Sequence, residues 1–358
     1  MHVTWIVSGK IERNPDGTLS SSMASIRYRV LPAADHLAKQ GHRIDIIQAG
    51  LPADAPSLRG PLGADVVIIS KGLFHECTAF VERAQRSGAR VIFDVCDDHF
   101  DSPFRDNYFT LCRVADDIVA STPAMAQVIG NRAGRRAKII GDPFEAPHGE
   151  PRFEPRDRLK LLWFGHPTNF DTLMATASSM IEFSRRFPTQ LTVVSNDTAN
   201  IRQTLRNADR RHSPHLTVRF LEWSAETTWR ALAECDATVI PSLPTESKQV
   251  KSPNRLVESL RRGRFVAAYP LPAYQSFADY CWLSEQVTEG LQWALANPRS
   301  AVARIAAGQA FIVKECSPQR IVAQWETAIS RYAASRPMTL AKPNFASVLA
   351  GSIANARL

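Results

Sequence analysis

The sequence predicts an α/β protein of two doubly wound halves facing a cleft, with a mostly helical C-terminal segment, and three observations predict it. Short β-branched runs alternate with helical stretches, the pattern of parallel strands covered by helices on both faces. The alternation stops once, in a proline- and charge-rich stretch near 141–158, and then begins again. The length, 358 residues, suits about two domains, each with its own core.

Taken in order, the run 3–8 predicts a first strand, followed by a glycine and polar loop to residue 22 and a helix over 23–40. A loop after a first strand is the ordinary ligand-facing position. Pro32 lies inside that helix and predicts a kink. Strands follow at 43–47, 65–70, 90–95, 117–120 and 138–140, with helical stretches at 75–86 and 123–130 between the later ones. The second series has strands at 159–164, 191–195, 216–221, 237–240 and 265–268. From 284 to about 333 the chain reads as helix. The domains are accordingly expected at 1–145 and 159–335, joined by a linker at 146–158 and followed by a tail at 336–358.

Forty-three basic against 35 acidic residues leave a net charge of +8, which suits an anionic ligand, a nucleic acid or an acidic membrane surface. The basic residues are scattered and lack aromatic interleaving, so nucleic acid is set aside as a partner. The six cysteines form no CxxC pair and no zinc spacing, as expected of reduced thiols in the cytoplasm. The N-terminal apolar run 2–7 is too short for a signal peptide or a membrane span, so the chain reads as soluble. No G-x-G and no G-x-x-x-x-G-K-[ST] spacing occurs, which removes the dinucleotide fingerprint and the P-loop.

The stretch 239–263 is the most informative: strand, polar loop, then a short helix opened by Ser252 and Pro253 and closed by Gly263. Lys248 and Lys251 precede the helix, where free N–H groups and the dipole already favour an anion such as a diphosphate. Asn254, Arg255 and Glu258 share a helical face, and a carboxylate at 258 could accept both hydroxyls of a ribose. An exposed Arg255–Glu258 pair with two solvated lysines fits the same spacing. At the carboxyl end of the fourth strand, Asp97, Asp98 and His99 are candidates for an acceptor-side base or hydroxyl-orienting group. The alternatives there are an acidic turn capping the next helix and a carboxylate metal site.

Several segments together resemble the GT-B glycosyltransferases of family 4, the retaining type, in register over roughly 1–335. They are Arg27-Tyr-Arg-Val-Leu-Pro32, Leu37-Ala-Lys-Gln-Gly-His42, Asp116-Asp-Ile-Val-Ala-Ser121, Leu161-Leu-Trp-Phe-Gly165, Phe220-Leu-Glu-Trp223, Leu232 to Ser242, and Asn254 to Gly263. The resemblance implies two Rossmann-like domains, a nucleotide-sugar donor on the C-terminal half, an acceptor on the N-terminal half, and neither metal nor cofactor. Glu258 matches the second carboxylate of the family's glutamate pair, the one that holds the donor ribose. The first would fall at Val250, and the family's Arg and Lys pair for the diphosphate is missing from Gly165-His-Pro-Thr-Asn169. Lys248, Lys251 and Arg255 are expected to stand in for that pair.

The donor set is thus Gly165, His166, Asn169, Glu222, Lys248, Lys251, Ser252, Asn254, Arg255 and Glu258, with Glu222 where the resemblance puts the nucleobase. Partners would be the nucleotide sugar and a glycan, lipid-linked or small-molecule acceptor. Contact with the inner face of the membrane stays open because the chain is basic. Two other classes remain: a catalytically silent binder of nucleotide sugar or glycan, and a sugar-nucleotide epimerase.

Overall fold

The computed structural model describes residues 1–49, 63–74, 76–212, 214–332 and 356–357. The chain divides into two compact units, Met1–Pro143 with Pro318–Leu358, and Phe144–Ser317. Each is built on a mainly parallel sheet with helices between its strands.

The first unit contains β1 (His2–Val7), a small antiparallel hairpin of β2 (Glu12–Arg13) and β3 (Leu19–Ser20), then β4 (Arg43–Gln48), β5 (Val66–Ser70), β6 (Arg90–Val95), β7 (Asp117–Ala120) and β8 (Lys138–Ile139). The hairpin lies in the span expected to be loop; Asp16 and Gly17 (φ 85°) make a turn that alternation could not reveal. The sheet runs β4, β1, β5, β6, β7, β8, all parallel, so its direction of winding reverses between β1 and β5. Pro32 stands in the first turn of the α-helix Leu31–Lys39, and the five residues before that helix, Ile26–Val30, are π-wound, with Leu31 N–H reaching Ile26 O. The wider turn absorbs the missing proline donor.

The second unit contains β9 (Leu159–Phe164), β10 (Thr189–Ser195), β11 (Leu216–Glu222), β12 (Ala237–Ile240), β13 (Phe265–Ala268) and β14 (Trp282–Leu283), ordered β11, β10, β9, β12, β13, β14. All pairs are parallel, and the winding reverses between β9 and β12. The sixth strand, β14, is two residues long and too short to register in the sequence. Its Trp282 packs on Trp293 at 5.3 Å and on Gly290, where an added Cβ would stand 2.7 Å from the indole. Finally, β15 (Ala356–Arg357) pairs antiparallel with β4; the rest of the expected tail at 336–358 lies outside the described residues.

Two domain boundaries differ from the expectation. The stretch 146–158 is not a free linker: Ala146 and Phe153 are buried, Gly149 N–H bonds Arg261 O, and Arg152 N–H bonds Gly263 O. Backbones approach so closely there that a Cβ on Gly263 (φ 71°) would fall 2.2 Å from Glu150 O. The closing helix Pro318–Ser330 belongs to the first unit, because Ile321, Trp325, Ala328 and Ile329 complete that unit's core, with Trp325 edge-on to Trp5 at 6.2 Å.

Candidate functional site

In a doubly wound sheet the loops at the carboxyl ends of the strands on either side of the reversal splay apart and leave room for a ligand. In the second unit those loops follow β9 and β12, and they carry most of the predicted donor residues. Gly165 follows β9 directly, fixed by its N–H to Val194 O at 3.1 Å and by Ser195 Oγ donating to its carbonyl at 2.9 Å. The buried Trp163 ring and Arg255 Nη1 each lie 3.5 Å from where a Cβ on residue 165 would be. His166 caps the single turn Pro167–Asn169, its Nδ1 accepting from Thr168 N–H at 3.3 Å.

After β12 the polar loop includes one helical turn, Glu246–Gln249, that the sequence did not announce. It lifts Lys248 towards the β9 loop, where its ammonium donates to Asn169 Oδ1 and to Thr168 O at 3.4 Å. The next helix is Asn254–Arg261; Pro253, with ψ 21°, stands just outside it, and no side chain caps it, so Ser252 does not play the predicted capping part. Arg255 lies in the first turn, and its charge opposes the burial that raises the pKa of the Tyr274 hydroxyl. Its Nη1 is buried with no hydrogen-bond partner among the described residues. Burial lowers the pKa of Lys248; Asp171 opposes that, and the Lys251 and Arg255 charges add to it. Gly165, Asn169, Lys248, Lys251 and Arg255 therefore form one cationic group.

The remaining donor candidates separate from it. Glu222 ends the edge strand β11 and is engaged by Asp197 N–H at 3.2 Å and Arg202 at 3.7 Å. Glu258 is 1% exposed, which rules out a surface pair with Arg255. One carboxylate oxygen accepts from Glu145 N–H at 2.8 Å and the other from Ala146 N–H at 2.7 Å. Val250, where the sequence resemblance expected a first carboxylate, is an apolar side chain, 2% exposed.

In the first unit, the carboxyl ends of β5 and β6 carry a buried ionic network. Arg29 (1% exposed), on the π-wound turn, pairs with Asp94 at 2.6 Å and Asp142 at 2.7 Å and donates to Ile140 O, while Ser70 Oγ donates to Asp94 at 3.1 Å. Lys71, beside the reversal, has φ 66° and pairs with Asp97 at 2.6 Å. Burial opposes the Lys71 charge most strongly, but Cys96, Asp97 and Asp94 together raise its pKa. Asp98 makes a turn by accepting Phe100 N–H at 3.0 Å, and His99 lies edge-on to Tyr108 at 5.4 Å. The three candidates are thus adjacent, but Asp97 is held by a cation, and among the described residues no group of His, Cys, Asp and Glu could hold a metal ion. Lys71, Asp142 and Tyr274 were not singled out from the sequence; a lysine before a glycine at a strand end was the only local signal.

No protein-family model and no curated protein sequence matches this chain. Solved structures do. HepE from Anabaena, in complex with UDP-glucose, superposes with TM-score 0.67 at 12% identity over 92% of this chain and 100% of its own. The catalytic domain of starch synthase IV from Arabidopsis thaliana, bound to ADP and acarbose, gives TM-score 0.67 at 10% identity over 93% and 99%. A glycosyltransferase from Rickettsia africae gives 0.67 at 9% over 94% and 99%. At such identities the likeness is one of fold: two Rossmann-like parallel-sheet α/β units and a helical C-terminal segment, the GT-B fold.

Proposed function

We propose that this protein transfers a sugar from a nucleotide-diphosphate donor to a hydroxyl acceptor. The observation that carries the reading is Arg255 Nη1, a buried and unpartnered cationic donor facing a residue without a side chain, at the reversal point of the second sheet. An unmet buried donor costs about 1–3 kcal/mol, and a ligand oxygen removes that cost. Lys248 and Lys251 add charge beside it. A diphosphate matches this group in charge and in acceptor oxygens.

During transfer the bond between the anomeric carbon and the diphosphate oxygen breaks, and its electron pair leaves with the diphosphate. The acceptor oxygen bonds to that carbon, and its proton passes to the departing phosphate. Fixed cations favour the charge that grows on the leaving group, a role in which they can serve in place of a metal ion. Retention of configuration rests on the family resemblance alone. In the first unit we assign Asp97, oriented by Lys71, to the acceptor hydroxyl, and Asp98 and His99 to the turn that shapes its surroundings. The neighbours bound to UDP-glucose and ADP support the donor class.

A thermal-shift screen of UDP, ADP, GDP, CDP and TDP tests the reading. At least one is expected to raise Tm, with the gain lost in Arg255→Ala. No gain with any of the five would overturn it. Val250 favours a second reading, a silent nucleotide-sugar binder; a gain in Tm without sugar release or transfer from any matching donor would select it. No helix among the described residues is long and apolar enough to cross a membrane. A cytoplasmic enzyme meeting a lipid-linked acceptor at the membrane face would float with anionic vesicles and detach in high salt.

A further inference from the structure

We infer that Asn169 is a positioning residue for the donor: its side-chain oxygen draws the Lys248 ammonium across from the loop after β12 and holds it, with its charge uncancelled, at the loop after β9. The inference rests on the donor reading above and deepens it, because Asn169, expected from the sequence to touch the donor, acts on it through Lys248.

The loop Gly165-His-Pro-Thr-Asn169 holds no lysine or arginine of its own. It offers oxygen instead: Lys248 Nζ donates to Asn169 Oδ1 at 2.5 Å and to Thr168 O at 3.4 Å. An ammonium only donates, so the amide has to present its oxygen. Asn169 is itself fixed from both sides, its N–H bonding His166 O at 2.9 Å and its backbone carbonyl accepting from the buried Thr172 hydroxyl at 2.6 Å. Lys248 starts from an equally fixed place, since its N–H bonds Thr245 O at 2.9 Å and the buried Val250 follows two residues later. A lysine side chain has many rotamers and loses them when held; here the amide bears that cost before a ligand arrives. The chemistry of the tie matters as much as its place. At the strand ends of the first unit cations meet carboxylates: Arg29 meets Asp94 and Lys71 meets Asp97, both at 2.6 Å. Lys248 has no carboxylate partner among the described residues; Asp171 acts on it only at longer range, with Oδ1 taken by Thr172 N–H at 2.8 Å. Two oxygens without net charge use two of the three ammonium donors, so one N–H and the whole charge remain for a phosphate oxygen.

The test uses the full chain and isothermal titration, from neutral to alkaline pH, with whichever of the five nucleoside diphosphates shifts wild-type Tm, alongside the corresponding nucleoside. Asn169→Ala is expected to weaken the diphosphate about three- to tenfold, through the freedom the lysine regains, and to leave nucleoside affinity unchanged. Asn169→Asp keeps a tie of the same shape but cancels the charge. At neutral pH it should weaken the diphosphate more than Asn169→Ala does, and the alkaline fall in affinity should move to higher pH, because a carboxylate raises the Lys248 pKa. An asparagine that only shaped the turn would leave that midpoint in place. Asn169→Ala combined with Lys248→Met is expected to bind no more weakly than Lys248→Met alone, since both act through one contact. Wild-type diphosphate affinity in Asn169→Asp, an unmoved midpoint, additive losses in the double variant, or an equal loss for the nucleoside each overturns the inference. Wild-type protein that binds none of the diphosphates overturns the donor reading, and the inference with it. Should the Asn169 variants fail to fold, Lys248→Met serves: it should weaken the diphosphate about tenfold or more and abolish the alkaline fall, and affinity equal to wild type would show that no lysine is delivered to the ligand.

Discussion

Glu258→Gln separates two duties of one carboxylate. In the ligand-free protein its two oxygens take the N–H groups of Glu145 and Ala146 at 2.8 and 2.7 Å, inside the second unit. A glutamine keeps one acceptor oxygen and turns its NH₂ towards the other N–H, so one charge-assisted bond is lost and one buried donor is stranded. The bond is worth about 1.5–3 kcal/mol and the stranded donor costs about 1–3 kcal/mol. Partial relaxation brings the expected loss to about 2–4 kcal/mol. For a unit of this size 1 kcal/mol moves Tm by about 2–4 °C, so the variant should melt roughly 5–15 °C lower with no nucleotide present. Differential scanning calorimetry of the ligand-free chain measures this. If Tm stays within about 1 °C of wild type while nucleoside affinity collapses, the carboxylate serves the ribose and does not hold the 145–146 segment, and the reasoning fails.

Three further outcomes are expected. Arg29→Met strands Asp94 and Asp142 without their cation, at a cost of about 3–5 kcal/mol, so the first unit should melt roughly 10 °C lower or more, and a change of under about 2 °C would show that the network is dispensable. Diphosphate binding should take up protons on the alkaline side: burial depresses the free Lys248 pKa below 10.5, an anion raises it again, and affinity falls as pH rises through that window. Titration in buffers of different ionisation heat reads the proton count, and a count of zero across the window would refute the Lys248 contact. Gly290→Ala forces a methyl to within 2.7 Å of the Trp282 ring and should cost about 1–3 kcal/mol in chemical denaturation, with diphosphate affinity unchanged in the folded protein.

Much of the fold was legible because parallel strands buried on both faces leave a plain trace: Val66-Val-Ile-Ile-Ser70 and Ala237-Thr-Val-Ile240 read as strands from composition alone. Features that depend on a few residues were not legible. The hairpin in the first loop, the π-wound turn before Pro32, the single helical turn bearing Lys248 and the two-residue β14 are each shorter than the window in which a period can be seen. The boundary at 143/144 was missed because proline and charge suggest a free linker, while close backbone packing around Gly149 and Gly263 makes that stretch part of the second unit.

For the site, local spacing determined that cations stand before a short helix after the strand at 237–240, since residues near in sequence stay near in space. It could not say which charges are spent. Asp94, Asp97 and Asp98 look alike in sequence, yet one is locked to Arg29, one to Lys71 and one to a backbone N–H. Lys71 and Asp97 are 26 positions apart, and Arg29 and Asp142 are 113 apart. Whether a charged group is free for a ligand depends on partners that only the folded sheet brings within 3 Å, so tertiary structure alone decided that Arg255 keeps an open arm and Glu258 does not stand exposed.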